Sequence, residues 1–161
     1  MTTPAIDRFL AAASTAGVTV DVARFPDGTR TAADAAEAIG CELGAIVKSL
    51  VFVAESSTCE PEAVMALVSG TNRADTVKLA EYFAADRVRQ ANADEVRAAT
   101  GYAIGGTPPI GHVSDVPIVI DEDLLRFAQV WAAAGTPDSV WPISPADLVA
   151  VTGARVVRVK P

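Results

Sequence analysis

Apolar positions along the chain switch repeatedly between a helical and a strand period. At residues 4–16, Ile6, Phe9, Leu10 and Ala13 fall on one face of a helix, and Gly17 ends it. Residues 18–25, VTVDVARF, alternate and predict a strand. Thr31 caps a second helix, with Asp34 at its third position and Gly40 at its exit. IVKSLVFVA at 46–54 is the strongest strand signal, and AVMALVS at 63–69 follows a polar turn as its hairpin partner. Residues 75–84 read as helix through Val77, Leu79, Ala80 and Phe83. Asn92 caps a further helix through Thr100, where Asp94 and Glu95 suit the positive end of the helix dipole.

The second half is built from shorter pieces. A Gly/Pro-rich stretch, GYAIGGTPPIGH at 101–112, precedes a buried strand, VPIVID at 116–121, and a short helical turn, DEDLLRF. VWAAAG at 130–135 and SVWPI at 139–143 predict two short strands around a Gly-Thr-Pro turn, and their Trp131 and Trp141 are expected in the core. Ser144, Pro145 and Asp147 open a last helix, and ARVVRVK at 154–160 closes the chain as a strand. Strands come in pairs with helices between and around them, without a regular βαβ rhythm. The expected fold is α+β, with a mixed, strongly curved, partly barrel-like sheet surrounded by helices. At 161 residues one domain spanning 1–161 is expected.

Composition narrows the chemistry. Half the residues are hydrophobic and 20% are charged, which excludes a disordered acidic chain. The net charge of −7 argues against broad binding to duplex DNA, which needs many Lys and Arg contacts to phosphate. It leaves room for a site touching one end of a nucleic acid. With one His and two distant cysteines, Cys41 and Cys59, no metal site is expected, and both cysteines read as small core residues. The N-terminus lacks the basic opening and unbroken apolar run of a secretory signal, and no window is long enough for a membrane span. A cytoplasmic protein is expected, with no membrane partner and no cofactor.

Two features carry candidate chemistry. Lys48 interrupts an otherwise apolar strand, on one face with Ile46 and Leu50, while Ser49 lies on the other with Val47 and Val51. A lysine there either meets an anion or polar ligand or snorkels to water. In the Gly/Pro stretch, Gly105 and Gly106 leave backbone N–H groups unobstructed, and Pro108 and Pro109 stiffen them. Such donors suit a carbonyl, a carboxylate or a developing oxyanion. The alternative is a plain turn. His112 reads as a surface or capping residue, or as a general base. The run Asp121, Glu122, Asp123 reads as acids at a helix N-terminus, with Asp121 at the strand end as the candidate exception.

AAEAIG, AIVKSLVF, TGYAIGGTPPIGH, VIDEDLL and SPADLVAVTGA, in that order, resemble the YbaK family, within the superfamily of prolyl-tRNA synthetase editing (INS) domains. The likeness runs from about Thr31 to Ala154. It implies a free-standing aminoacyl-tRNA deacylase that hydrolyses the ester of a mischarged tRNA, with a small amino acid such as Ala, Cys, Ser or Thr on proline tRNA. The family's key lysine maps onto Lys48 and its GxxxP loop onto Gly105 to Pro109, with Gly106 and Gly111 completing the motif. The expected catalytic residues are Lys48, Gly105 and Gly106. The expected substrate-binding residues are Ser49, Thr107, Pro108, Pro109, Gly111, His112 and Asp121. The implied partners are the aminoacyl-tRNA acceptor end and a synthetase such as prolyl-tRNA synthetase. Two alternatives stand beside this reading. One is a non-catalytic module that binds a small amino acid, a nucleotide or a tRNA end. The other is a Ser/His hydrolase using His112.

Overall fold

The computed structural model describes residues 3–25 and 31–161. In chain order the elements are α1 (Pro4–Thr15), β1 (Ala23–Arg24), α2 (Ala32–Ile39), β2 (Val47–Glu55), β3 (Glu62–Ser69), α3 (Thr76–Tyr82), β4 (Arg87–Gln90), α4 (Ala93–Thr100), β5 (Ile118–Asp121), β6 (Val130–Ala133), β7 (Ser139–Ile143), α5 (Pro145–Thr152) and β8 (Arg155–Val157). The expected caps form. Thr31 with Asp34 and Asn92 with Glu95 make reciprocal capping boxes, and Ser144 accepts from Asp147 N–H. Each cap contributes about 1 kcal/mol to its helix.

Five strands form a mixed sheet in the order β4-β2-β3-β5-β8, and three form a second sheet, β1-β7-β6. The long β2–β3 pair is an antiparallel hairpin, and β3, β5 and β8 run parallel. One parallel bridge, Ile46 to Trp131, links the two sheets. The α+β class with a mixed sheet is as expected. The five-stranded sheet does not close into a barrel: among the described residues its end strands, β4 and β8, do not pair with each other.

Alternation along the hairpin builds a core on each face. Val47, Val51, Met65 and Leu67 pack with Phe9, Trp141 and Leu148. Phe52, Val64, Ala66 and Val68 pack with Leu79, Val157 and Val159 on the opposite face. Phe9 and Trp141 meet ring to ring at 5.2 Å, which ties α1 to β7.

Several local expectations shift. Of residues 18–25 only Ala23 and Arg24 pair, at the edge of the smaller sheet. The last strand ends at Val157, although the chain beyond still buries Val159. Val77 is 70% exposed and so is no part of the apolar face of α3. Cys59 is exposed in the turn between β2 and β3 and Cys41 is half-buried, so neither is a core residue. The strand β4 was not legible in its charged sequence RVRQ. It forms because its backbone pairs with β2 and Val88 is buried in the core, with Arg87 and Arg89 paired to Glu55 and Glu95 along the edge. These acids hold the surface pairs together, and Arg89 with the Asn92 amide lowers the Glu95 carboxyl to about 2.

Leu67 is fully buried at the centre of the hairpin. Leu67→Ala is expected to destabilise by about 2–5 kcal/mol, read from denaturant unfolding. A loss under 1 kcal/mol would show that the two cores can collapse around the gap.

Candidate active site

The sheet leaves a gap, and the gap is a cleft. On one side β2 is fully paired with β3. On the other, Ala91 N–H donates to Val51 C=O, and beyond it, among the described residues, no strand pairs with β2 until the Ile46–Trp131 bridge. Backbone groups alternate in direction along a strand, so the Ser49 N–H and C=O point the same way as those of Val51, into this gap. The cleft has a volume of about 460 Å³. Val47 to Val51 form its floor, α2 contributes Thr31, Ala32 and Ala35, β6 contributes Trp131 and Ala132, and the Gly/Pro loop contributes Ile104, Gly105 and Thr107. Among the described residues, Lys48 is the one charged residue in its lining.

Two segments distant in sequence thus meet here. Of the expected site residues, Lys48, Ser49, Gly105 and Thr107 line this cleft. Among the described residues, neither the Gly105 nor the Thr107 N–H has an acceptor. The Gly106 N–H is engaged differently: it closes a turn on Ala103 C=O at 3.0 Å. Gly106 owes its identity to packing, since a Cβ there would lie 2.8 Å from the Thr136 backbone in the β6–β7 turn. Gly105 adopts φ +85°, a left-handed conformation suited to glycine. The Thr107 hydroxyl donates to Ala103 C=O at 3.0 Å and locks the turn from the other side.

Pro109, Gly111 and His112 line a second, shallower depression behind the loop, and Pro108 is buried beneath it. His112 Nε2 donates to the Pro108 carbonyl at 2.7 Å, which fixes the Nε2–H tautomer and braces the loop from behind. Burial pushes the imidazole below its usual value, and the hydrogen bond to Pro108 opposes this only in part.

Lys48 turns its amine toward the far end of the sheet, where it donates to Asn72 C=O at 2.5 Å. Desolvation lowers its pKa, against the pull of Asp121 and with the help of Arg73. Asp121 is buried below this point and does not reach the cleft. It accepts from Ser69 N–H, Asp123 N–H and Asn72 Nδ2. The same Asn72 amide reaches Asp123, which also pairs with Lys160 at 2.8 Å. Lys160 and Asn72 hold the Asp123 carboxyl below its usual range. Sequence reasoning did not point to Asn72, and Trp131, expected in the core, is instead half-buried in the wall of the cleft. Neither belongs to a motif, and only the return of the chain after β3 and the inter-sheet bridge bring them in.

The Aminoacyl-tRNA editing domain family matches residues 26–151. This chain belongs to that family. Its fold superposes on the crystal structure named "a putative trans-editing enzyme for prolyl tRNA synthetase", with a TM-score of 0.92 and 44% identity over 100% of this chain and 99% of that one. YwhH of Bacillus subtilis is 31% identical over 136 residues, 84% of this chain and 83% of its own. The "Putative Cys-tRNA(Pro)/Cys-tRNA(Cys) deacylase EbsC" of Enterococcus faecalis is 26% identical over 80% of this chain and 76% of its own. Proline–tRNA ligases match more locally. That of Limosilactobacillus fermentum is 33% identical over 60% of this chain, which spans 17% of the ligase. The editing domain is an aminoacyl-tRNA hydrolase, and the cleft brings together unengaged backbone N–H groups, a lysine and mostly apolar walls.

Two outcomes check the loop. Gly106→Ala forces a methyl against backbone that cannot yield, so it should destabilise the protein by about 1–3 kcal/mol and reduce ester hydrolysis, whereas full activity would show that the loop position is not needed. His112 should titrate, by NMR, below the ordinary value of about 6.5. Because its folded pKa is depressed, its contribution to stability is present above the unfolded pKa and is lost as pH falls through the folded value. His112→Gln should flatten that acid-side decline, and a midpoint at or above 6.5 would contradict the burial.

Proposed function

We propose that this chain is a single trans-editing domain that removes a small, wrongly attached amino acid from tRNA, with proline tRNA as its substrate and the cytoplasm as its place of action. What carries the reading is the meeting of Lys48 with Gly105 and Thr107 in one cleft at the open edge of β2. Support for proline tRNA comes from relatives: the trans-editing structure, EbsC and the proline–tRNA ligases all bear that connection in their names. A synthetase of that kind is the proposed partner.

The chemistry asks little of the protein. The aminoacyl ester is already activated, so orientation and charge stabilisation supply most of the acceleration. Water adds to the ester carbonyl carbon, and the carbonyl oxygen gains negative charge facing the Gly105 and Thr107 N–H groups. The bond to the ribose oxygen then breaks, the ribose oxygen takes the proton, and the free amino acid leaves. Lys48 positions the acceptor end. Discrimination by size explains why such a domain is useful, because a methylene distinguishes two amino acids by only about 1–3 kcal/mol at a synthetase. The small walls Ala91, Ala132 and Ala133 and the nearby Val47, Val51 and Val96 suit a short side chain.

The test is a panel of tRNAs charged with Ala, Cys, Ser, Thr and Pro. Wild type should hydrolyse at least one mischarged species and spare Pro-tRNA. Lys48→Ala should lower the rate by about a hundredfold or more, a loss typical of one preorganised electrostatic contact, while remaining folded. Tight binding of tRNA or amino acid without turnover would favour a non-catalytic module instead.

A further inference from the structure

A lysine has a long, flexible stem, so where its amine rests depends on what accepts from it. For Lys48 the acceptor is the Asn72 carbonyl, at 2.5 Å and 24 residues further along the chain. An ammonium has three donors, and among the described residues the other two have no partner. Asn72 ends a turn that is fastened on every side. Gly70 N–H donates to Ile46 C=O at 2.8 Å, and Asn72 N–H donates to Ser69 C=O at 2.9 Å. A Cβ at Gly70 would collide with the Leu43 carbonyl oxygen, so the turn lies hard against the chain ahead of β2. Asp121 accepts from Ser69 N–H at 3.0 Å. The Asn72 side-chain amide bridges Asp121 and Asp123 at 2.8 Å each, and as both partners are acceptors the nitrogen end must face them. Both acids are buried, and Lys160 closes Asp123 from the other side at 2.8 Å.

We propose that Asn72 is a positioning residue. Its carbonyl holds the Lys48 amine in one place, and its side-chain amide, anchored on Asp121 and Asp123 and backed by Lys160, keeps that carbonyl still. This rests on the role given to Lys48 in the aminoacyl-tRNA reading above. With one N–H held, the amine turns about a fixed point and still offers two donors to a substrate oxygen. A shift of about 1 Å near a reacting group is enough for a large loss of rate. The buried acids and Lys160 thus reach the cleft only through Asn72.

The experiment is a double-mutant cycle, read on the mischarged tRNA that wild type cleaves. Asn72→Ala keeps the carbonyl but frees the turn, and should lower kcat/KM roughly tenfold or more. In a Lys48→Ala background the same substitution should cost less than about twofold, because residues that act as a unit are not additive. Equal losses in both backgrounds would make Asn72 merely structural and overturn the proposal, as would an unchanged rate in Asn72→Ala. NMR adds a signature that a loss of stability alone does not move. The two ε-methylene protons of Lys48 should be distinct in wild type, where the amine is held, and should merge in folded Asn72→Ala. Merged signals in wild type, or distinct ones in the folded variant, overturn the proposal. If Asn72→Ala does not fold, Lys160→Met decides in its place. It should merge the same signals and lower the rate where Lys48 is present, and Lys160→Arg should restore both; wild-type behaviour of Lys160→Met overturns the proposal. Failure of the editing reading looks different: wild type would leave every mischarged tRNA intact, while the Lys48 signals would still decide the role of Asn72.

Discussion

A strand with one side fully paired and the other half open is the constraint on which the site depends. β2 must stay in register with β3 along its whole length, because a slip of one residue would exchange the two buried faces. The same strand must remain unpaired beyond Val51, because that edge is the floor of the cleft. An exposed strand edge invites pairing with another chain. Here it is enclosed by α2, by Trp131 at the inter-sheet bridge and by the Gly/Pro loop, so it is open to a small ligand group and closed to a strand.

The loop is rigid for reasons that differ from residue to residue. Gly105 supplies the left-handed turn, Gly106 the close approach to Thr136, Thr107 a hydroxyl bond across the turn, and His112 a brace on Pro108. Preorganised donors stabilise developing charge without having to reorient, so a loop held in this way suits the proposed chemistry. The histidine, which on its own suggests a general base, contributes by holding its neighbours.

Charge is organised on the same principle of local exception. The chain is acidic overall, yet the lining of the cleft carries Lys48. Asn72 makes this arrangement possible. Its carbonyl takes the lysine amine while its side-chain amide satisfies two buried carboxylates. Removing either acid would leave that amide short of an acceptor, so the lysine is coupled through one residue to the C-terminal Lys160.

Most of this architecture was legible in the order of residues. Helix caps, the β2–β3 hairpin, the α+β class and the family resemblance rest on patterns a few residues long, where local sterics, capping and side-chain alternation decide the outcome. Lys48 and the Gly105 loop were visible as separate signals for the same reason. Their meeting was not, nor was the strand RVRQ, which pairs at the edge of β2 and buries Val88. Asp121 reads in sequence as a candidate ligand residue and in the fold as a buried anchor. Local chemistry along the chain therefore determined the elements and the reactive groups. Which strand edge stayed open, and which groups faced it, was decided by packing between separate segments, such as those of Lys48, Gly105 and Trp131, where burial and hydrogen-bond satisfaction act only after the chain has folded.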